Sequence, residues 1–117
     1  MTEDKLDLLK GTLDLLVLKI LSSMGPMHGY GIARRIEQLS ENALAVNQGT
    51  IYLCLIRLVQ KKWIKAVWGT SENNRKAKFY SITKTGQKQL KIEAEGWERV
   101  SGVIGRLLQL TPGGKTS

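Results

Sequence analysis

Cysteine and histidine each occur once in the 117 residues, as Cys54 and His28. A lone cysteine excludes an internal disulfide and offers no zinc cluster, which suits a reducing compartment. The usual constellations of an enzyme lack their parts. There is no partner for the histidine, no phosphate-cradling glycine loop between a strand and a helix, and no paired carboxylates in a common cleft. Apolar runs are short, and none approaches the ~20 residues that cross a bilayer. The first residues carry Glu3 and Asp4, where a secretory leader would be basic. The expectation is a cytoplasmic, non-enzymatic protein with no membrane partner, no metal and no cofactor. The chain has no internal repeat and is short enough to read as one domain.

What is abundant is positive charge in one place. The formal net charge is +8. Ten cations (Arg57, Lys61, Lys62, Lys65, Arg75, Lys76, Lys78, Lys84, Lys88 and Lys91) stand against Glu72 alone in one stretch, and the remainder is close to neutral. A basic third on a near-neutral body is the footprint of a polyanion-binding face. A lysine-rich solvated surface has the same composition, so charge alone leaves both readings open.

Periodicity supplies the elements. Leu6, Leu9, Leu13, Leu16, Val17, Ile20, Leu21 and Met24 recur at steps of three and four and predict an amphipathic helix over 6–24. Thr12 is a candidate local cap within it, with Asp14 suited to a positive helix end. Gly25-Pro26 stops that helix. Gly29-Tyr30-Gly31 opens a second helix to about Ser40, with Ile32, Ile36 and Leu39 inward and Arg34, Arg35, Glu37 and Gln38 outward. After a polar linker at Glu41-Asn42, Asn47 caps a third helix to about Lys62, with Ile51, Leu55, Leu58 and Val59 on one side. The period then changes. Residues 63–68 and 78–82 alternate as strands around a turn-forming cluster at 69–74, a hairpin with a basic tip. Thr83 caps a long final helix, with Gly86 a weak point in its first turn. Thr111-Pro112-Gly113-Gly114 ends it.

Three helices, a hairpin and a long helix describe a mainly α fold with a small β-hairpin: a winged helix-turn-helix with a long C-terminal dimerisation helix. In that design the third helix enters the major groove and the hairpin reaches the flanking backbone. Asn47, Gln48, Gly49, Thr50 and Tyr52 begin that helix as short or polar groups suited to base edges and phosphates. Helix starts are polar for capping reasons too. Asn73, Asn74, Arg75, Lys76 and Lys78 form the tip, where phosphates would be neutralised.

These residues sit in a longer pattern. Leu8–Leu18, Gly25–Ile32, Gln48–Tyr52, Arg57-Leu58, Trp63-Ile64, Trp68–Arg75, Lys78–Tyr80 and Thr83–Gly86 together resemble the PadR family of bacterial regulators over about nine-tenths of the chain. The short C-terminal region resembles the compact subgroup with a single long terminal helix. The resemblance implies a winged-helix repressor, dimeric through its terminal helices, that often releases DNA when a small ligand binds. It places Gln48, Gly49, Thr50 and Tyr52 at the major groove and adjacent phosphates, and Arg75, Lys76 and Lys78 on the wing. Arg57 is counted with the DNA contacts. His28, Gly29 and Tyr30 match the family's link between the first two helices, where a structural role is expected. Two positions depart from the family. Leu53-Cys54 follows the tyrosine where proline is usual, and Lys62 precedes Trp63-Ile64 where glycine is usual. A lysine at positive φ there costs about 1 kcal/mol relative to glycine, unless the helix ends in another geometry.

The resulting organisation is a DNA-binding domain over 1–83, a dimerisation helix over 84–110 in the same compact unit, and a disordered tail over 111–117. The terminal helix carries more apolar surface than so small a domain buries. Leu6, Leu9, Leu13, Leu90, Trp97, Val100, Ile104, Leu107 and Leu108 are the expected homodimer interface, the competing reading being a helix folded back on its own core. Trp97 and the first-helix leucines are also candidates for a small apolar effector site there. A redox role for Cys54 ranks below these, since there is no second cysteine to resolve it. The partner is expected to be double-stranded DNA bound specifically. A nonspecific architectural nucleic-acid binder is the main rival, and an adaptor without DNA binding a third reading.

Overall fold

The structure, a computed structural model, describes residues 10–115. Helix α1 (Lys10–Met24) is followed by strand β1 (Met27–His28), then helices α2 (Gly29–Leu39) and α3 (Gln48–Gln60). Strands β2 (Ile64–Thr70) and β3 (Lys76–Ile82) follow, and the long helix α4 (Lys84–Leu108) closes the order. α1 passes through Gly11-Thr12, so Thr12 lies inside the helix and does not cap it. Leu6 and Leu9, expected on the first helix and in the interface, lie outside the described residues. No helix among the described residues is long and apolar enough to cross a membrane.

Most of the expected inward positions meet in one core, but Leu39 at the end of α2 and Val59 in α3, expected inward, are exposed. Val17, Leu18 and Leu21 from α1, Ile32 and Ile36 from α2, and Ile51, Leu55 and Leu58 from α3 are buried together. Ile64, Tyr80 and Leu90 bring β2, β3 and α4 into the same cluster. Burying an aliphatic side chain of this size contributes about 1.5–3 kcal/mol, so the helical periodicity is what holds α3 in place.

Each of α2, α3 and α4 starts on a side-chain cap. Asn47 Oδ1 accepts from the Thr50 amide at 2.7 Å and Thr83 Oγ1 from the Gly86 amide at 3.0 Å. The cap of α2 is His28, whose Nδ1 accepts from the Gly31 amide at 3.1 Å. The helix ends are equally specific. At the end of α3 the Trp63 amide donates to the Leu58 carbonyl and the Lys62 amide to that of Val59, with Lys62 at φ 65°. This is a Schellman ending, and it demands a left-handed residue. α2 ends the same way on Glu41, at φ 53°, with Asn42 donating to Glu37.

The sheet has three antiparallel strands in the order β1-β3-β2. β2 and β3 pair from Ile64 with Ile82 to Thr70 with Lys76. β1, unforeseen in the sequence, places Met27 opposite Tyr80 and His28 opposite Phe79, tying the α1–α2 link to the wing. Gly86 also has a different role from the expected weak point. It is buried where α4 crosses the start of β2, and a Cβ there would lie 2.0 Å from the Trp63 carbonyl oxygen. Residues 111–115, expected to be disordered, form a turn closed by the Thr111 amide on the Lys115 carbonyl at 2.6 Å.

Two substitutions should therefore move stability in opposite directions. Lys62→Gly relieves the left-handed strain and should raise stability by about 1 kcal/mol. Gly86→Ala forces α4 off β2 and should lower it by about 1–3 kcal/mol or more. Thermal unfolding reads both; a neutral Gly86→Ala would contradict the close approach.

Candidate nucleic-acid interface

α3 presents its first turn to solvent because the opposite side is committed to the core. Gln48, Gly49 and Thr50 are exposed, as is Tyr52, while Ile51 and Leu55 point inward. Asn47 is exposed at the helix start, but its amide oxygen is occupied by the cap on Thr50. The wing is built by the β2–β3 register and closed by a short turn. Ser71 N donates to Arg75 O at 2.8 Å and Asn74 N to Ser71 O at 2.9 Å, with Asn74 left-handed at φ 59°. Asn73, Asn74, Arg75, Lys76 and Lys78 are all exposed there. The Lys78 ammonium sits over the Trp68 ring, 5.6 Å from its centroid.

Between α3 and the wing lies a cleft of about 1030 Å³. Gln48 and Tyr52 line one side and Asn73, Arg75, Lys76 and Lys78 the other, with Trp68 at the wing's base. The cleft also takes in Tyr30, Arg34, Arg35 and Gln38 of α2. Those α2 residues are absent from the expected site. Arg34 and Arg35 were legible as an outward pair, but they lie outside the basic third of the sequence and the fold alone brings them to it. Five cations line this concavity against Glu72, and cations around a concave surface focus an attractive field on a polyanion.

Arg57 does not belong to this surface. Its guanidinium pairs with the Asp14 carboxylate of α1, and its side chain is mostly covered. Asp14 is itself buried, so the carboxylate serves as the internal partner of α3 and not as a charge at a helix end. The hydrogen bond to Asp14 raises the Arg57 pKa further above its ordinary value despite some desolvation. Cys54, one turn earlier, donates from Sγ to the same Asp14 oxygen at 3.3 Å. Burial, reinforced by the Asp14 carboxylate, pushes its thiol pKa up to about 12. The thiolate is the reactive form, so Cys54 has the setting of an inert core residue.

Away from the cleft, Leu13 and Leu90, expected in the interface, are largely covered by the chain's own core. Trp97, Val100, Ile104, Leu107 and Leu108 are exposed, Leu108 at 80%. Leu15, Leu16, Leu90, Ala94 and Trp97 line a groove of about 570 Å³ between α1 and α4, rimmed by Lys19, Lys91 and Glu98.

The three-helix core, the hairpin wing and the exposed start of α3 define a winged-helix protein. Residues 17–92 match the model of the transcriptional regulator PadR-like family. The chain belongs to that family of DNA-binding transcriptional regulators, which are not enzymes. A PadR-like transcriptional regulator from Bacillus cereus superposes with a TM-score of 0.76 at 30% identity, covering 87% of this chain and 96% of that one. A PadR family regulator from Clostridium difficile gives 0.70 at 30% identity, covering 82% and 97%. In sequence, an uncharacterised protein of Lysinibacillus sphaericus is 29% identical, over 84% of this chain and 89% of its own.

The Cys54 environment has a pH consequence. Folding favours the protonated thiol, so its contribution to stability is complete below the ordinary thiol range near 9 and is lost as pH climbs toward about 12. At pH 8 native Cys54 should resist iodoacetamide and react once the chain is unfolded. Rapid stoichiometric alkylation of the native protein would contradict the buried assignment.

Proposed function

We propose that the chain is a sequence-specific repressor that binds an inverted-repeat operator as a homodimer. The observation that carries this reading is the exposed start of α3 facing a cationic wing across one cleft. Gln48 and Thr50 are the polar groups placed to bond base edges, Gln by a bidentate contact to adenine and Thr by its hydroxyl or methyl. Arg75, Lys76 and Lys78, with Arg34 and Arg35, neutralise phosphates and set the register without reading sequence. The polar opening of α3 favours specific binding over an architectural role, because a nonspecific binder needs only the charge.

The homodimer rests on α4. Beyond its first turns the helix carries Trp97, Val100, Val103, Ile104 and Leu107, each about half exposed. A second copy in two-fold relation buries this stripe. It also presents two α3 helices to successive major-groove faces about 34 Å apart. The groove beside Trp97 is the place for a small apolar effector whose binding shifts that spacing and releases the operator.

Selection of duplexes from a random pool tests the core of this reading, and an enriched inverted repeat is the expected result. On that duplex, Gln48→Ala or Thr50→Ala should lose roughly 1–3 kcal/mol and relax specificity. Arg75→Ala with Lys76→Ala should weaken all duplexes together and flatten the salt slope. Equal loss on selected and random DNA from both mutant classes would refute the division of roles. Failure of the wild type to resist excess unrelated duplex would favour the architectural reading. Sedimentation should show Trp97→Ala dissociating at micromolar concentration, and an intact dimer would exclude α4 packing as its basis.

A further inference from the structure

The outer face of α3 is apolar where a reading helix reaches deepest. At 3.6 residues per turn, burial of Ile51, Cys54, Leu55 and Leu58 leaves Gly49, Leu53, Ile56 and Gln60 on the opposite side, all of them exposed. Leu53 is 63% exposed and Ile56 37%. The polar candidates lie to the flanks, Gln48 and Tyr52 toward the wing cleft and Thr50 on the far side. Arg57 is the sole cation of α3, and Asp14 holds it. The helix therefore has no free guanidinium or ammonium for the O6 and N7 acceptors of guanine, the partners those groups usually take. What Leu53 and Ile56 offer is apolar surface, and the major groove has one apolar group to meet it, the C5-methyl of thymine.

We propose that Leu53 and Ile56 determine specificity by packing on thymine methyl groups at the centre of each half-site. The inference rests on the DNA-binding reading above. Duplex DNA is the occupant of this face because the apolar strip is continuous with Gln48 and Tyr52, which line the cation-rich cleft. Phosphates held by the wing bring the groove onto α3. Leu53 stands where the family resemblance expects proline, so this contact belongs to this chain and is not inherited from that pattern.

Deoxyuridine in place of thymidine removes the methyl and leaves base pairing intact, which isolates the contact. The protein is titrated into the duplex selected from the random pool, then into duplexes carrying uracil at one thymine position per half-site. Wild-type affinity should fall roughly fourfold per methyl lost from contact, and Leu53→Ala or Ile56→Ala should bind the thymine and uracil versions of its own position equally. Both side chains are exposed, so the variants should fold as the parent does, which circular dichroism checks. If no duplex is enriched, the DNA-binding reading itself fails and this inference with it. If a duplex is enriched and bound, but uracil is tolerated within twofold everywhere, the methyl contact is overturned and the regulator reading stands. The methyl contact is likewise overturned if Leu53→Ala and Ile56→Ala retain the wild-type methyl dependence. A change of oligomeric state in Leu53→Ala without a change in methyl dependence would reassign the strip to a protein contact.

Discussion

The ion pair between Asp14 and Arg57 ties the helix that opens the core to the helix that faces outward. Both groups are largely removed from water, and Cys54 adds a third hydrogen-bonding group to the same carboxylate. A charge placed in such a site is unfavourable unless it is paired, so the two helices are held in one relative position or the site is badly destabilised. Apolar packing of Ile51, Leu55 and Leu58 fixes which side of α3 is hidden. The polar cluster adds what packing leaves loose, the rotation and register of α3 against α1. With that side fixed, the exposed start of α3 and its outer strip take their direction as a consequence.

The wing depends on a second set of constraints that converge on Trp63. Its amide completes the α3 ending on Leu58, and its carbonyl accepts from both the Thr83 amide and the Thr83 hydroxyl. Gly86 lets α4 approach that same carbonyl closely. The end of α3, the root of β2 and the start of α4 are thereby locked together, and β1 braces β3 from the other side. Helix α3 and the wing are consequently braced against one another across the cleft, an arrangement in keeping with the proposed contact with a rigid duplex in two places.

Local patterns were readable from residues because local physics sets them. Apolar spacing located α2, α3 and α4, the caps Asn47 and Thr83 fell where their side chains suggest, and the change to alternation at Trp63 marked the hairpin. Long-range pairings were not readable. Nothing near Arg57 in the chain distinguishes an internal partner from a phosphate contact, since its mate lies 43 positions away. Leu13 and Leu90 look like interface leucines on a helical wheel, and only the packing of α1 on α4 shows that the monomer already covers them. β1 as a strand and the close approach at Gly86 depend likewise on neighbours remote in sequence, whereas the His28 cap is a local bond to the Gly31 amide that its residue type did not announce. Arg34 and Arg35 were visible as outward cations, but their place on the cleft follows from how α2 is set against the wing.

If α3, the wing and the start of α2 act as one body, DNA lies on the cleft side and the α4 stripe is turned to another purpose. Amide chemical-shift mapping of the isotopically labelled protein, titrated with its selected duplex, tests this most directly. The largest changes should fall over residues 48–56 and 73–78 and at Arg34 and Arg35, with residues 97–108 little affected. Changes concentrated on α4, with α3 and the wing silent, would contradict this arrangement.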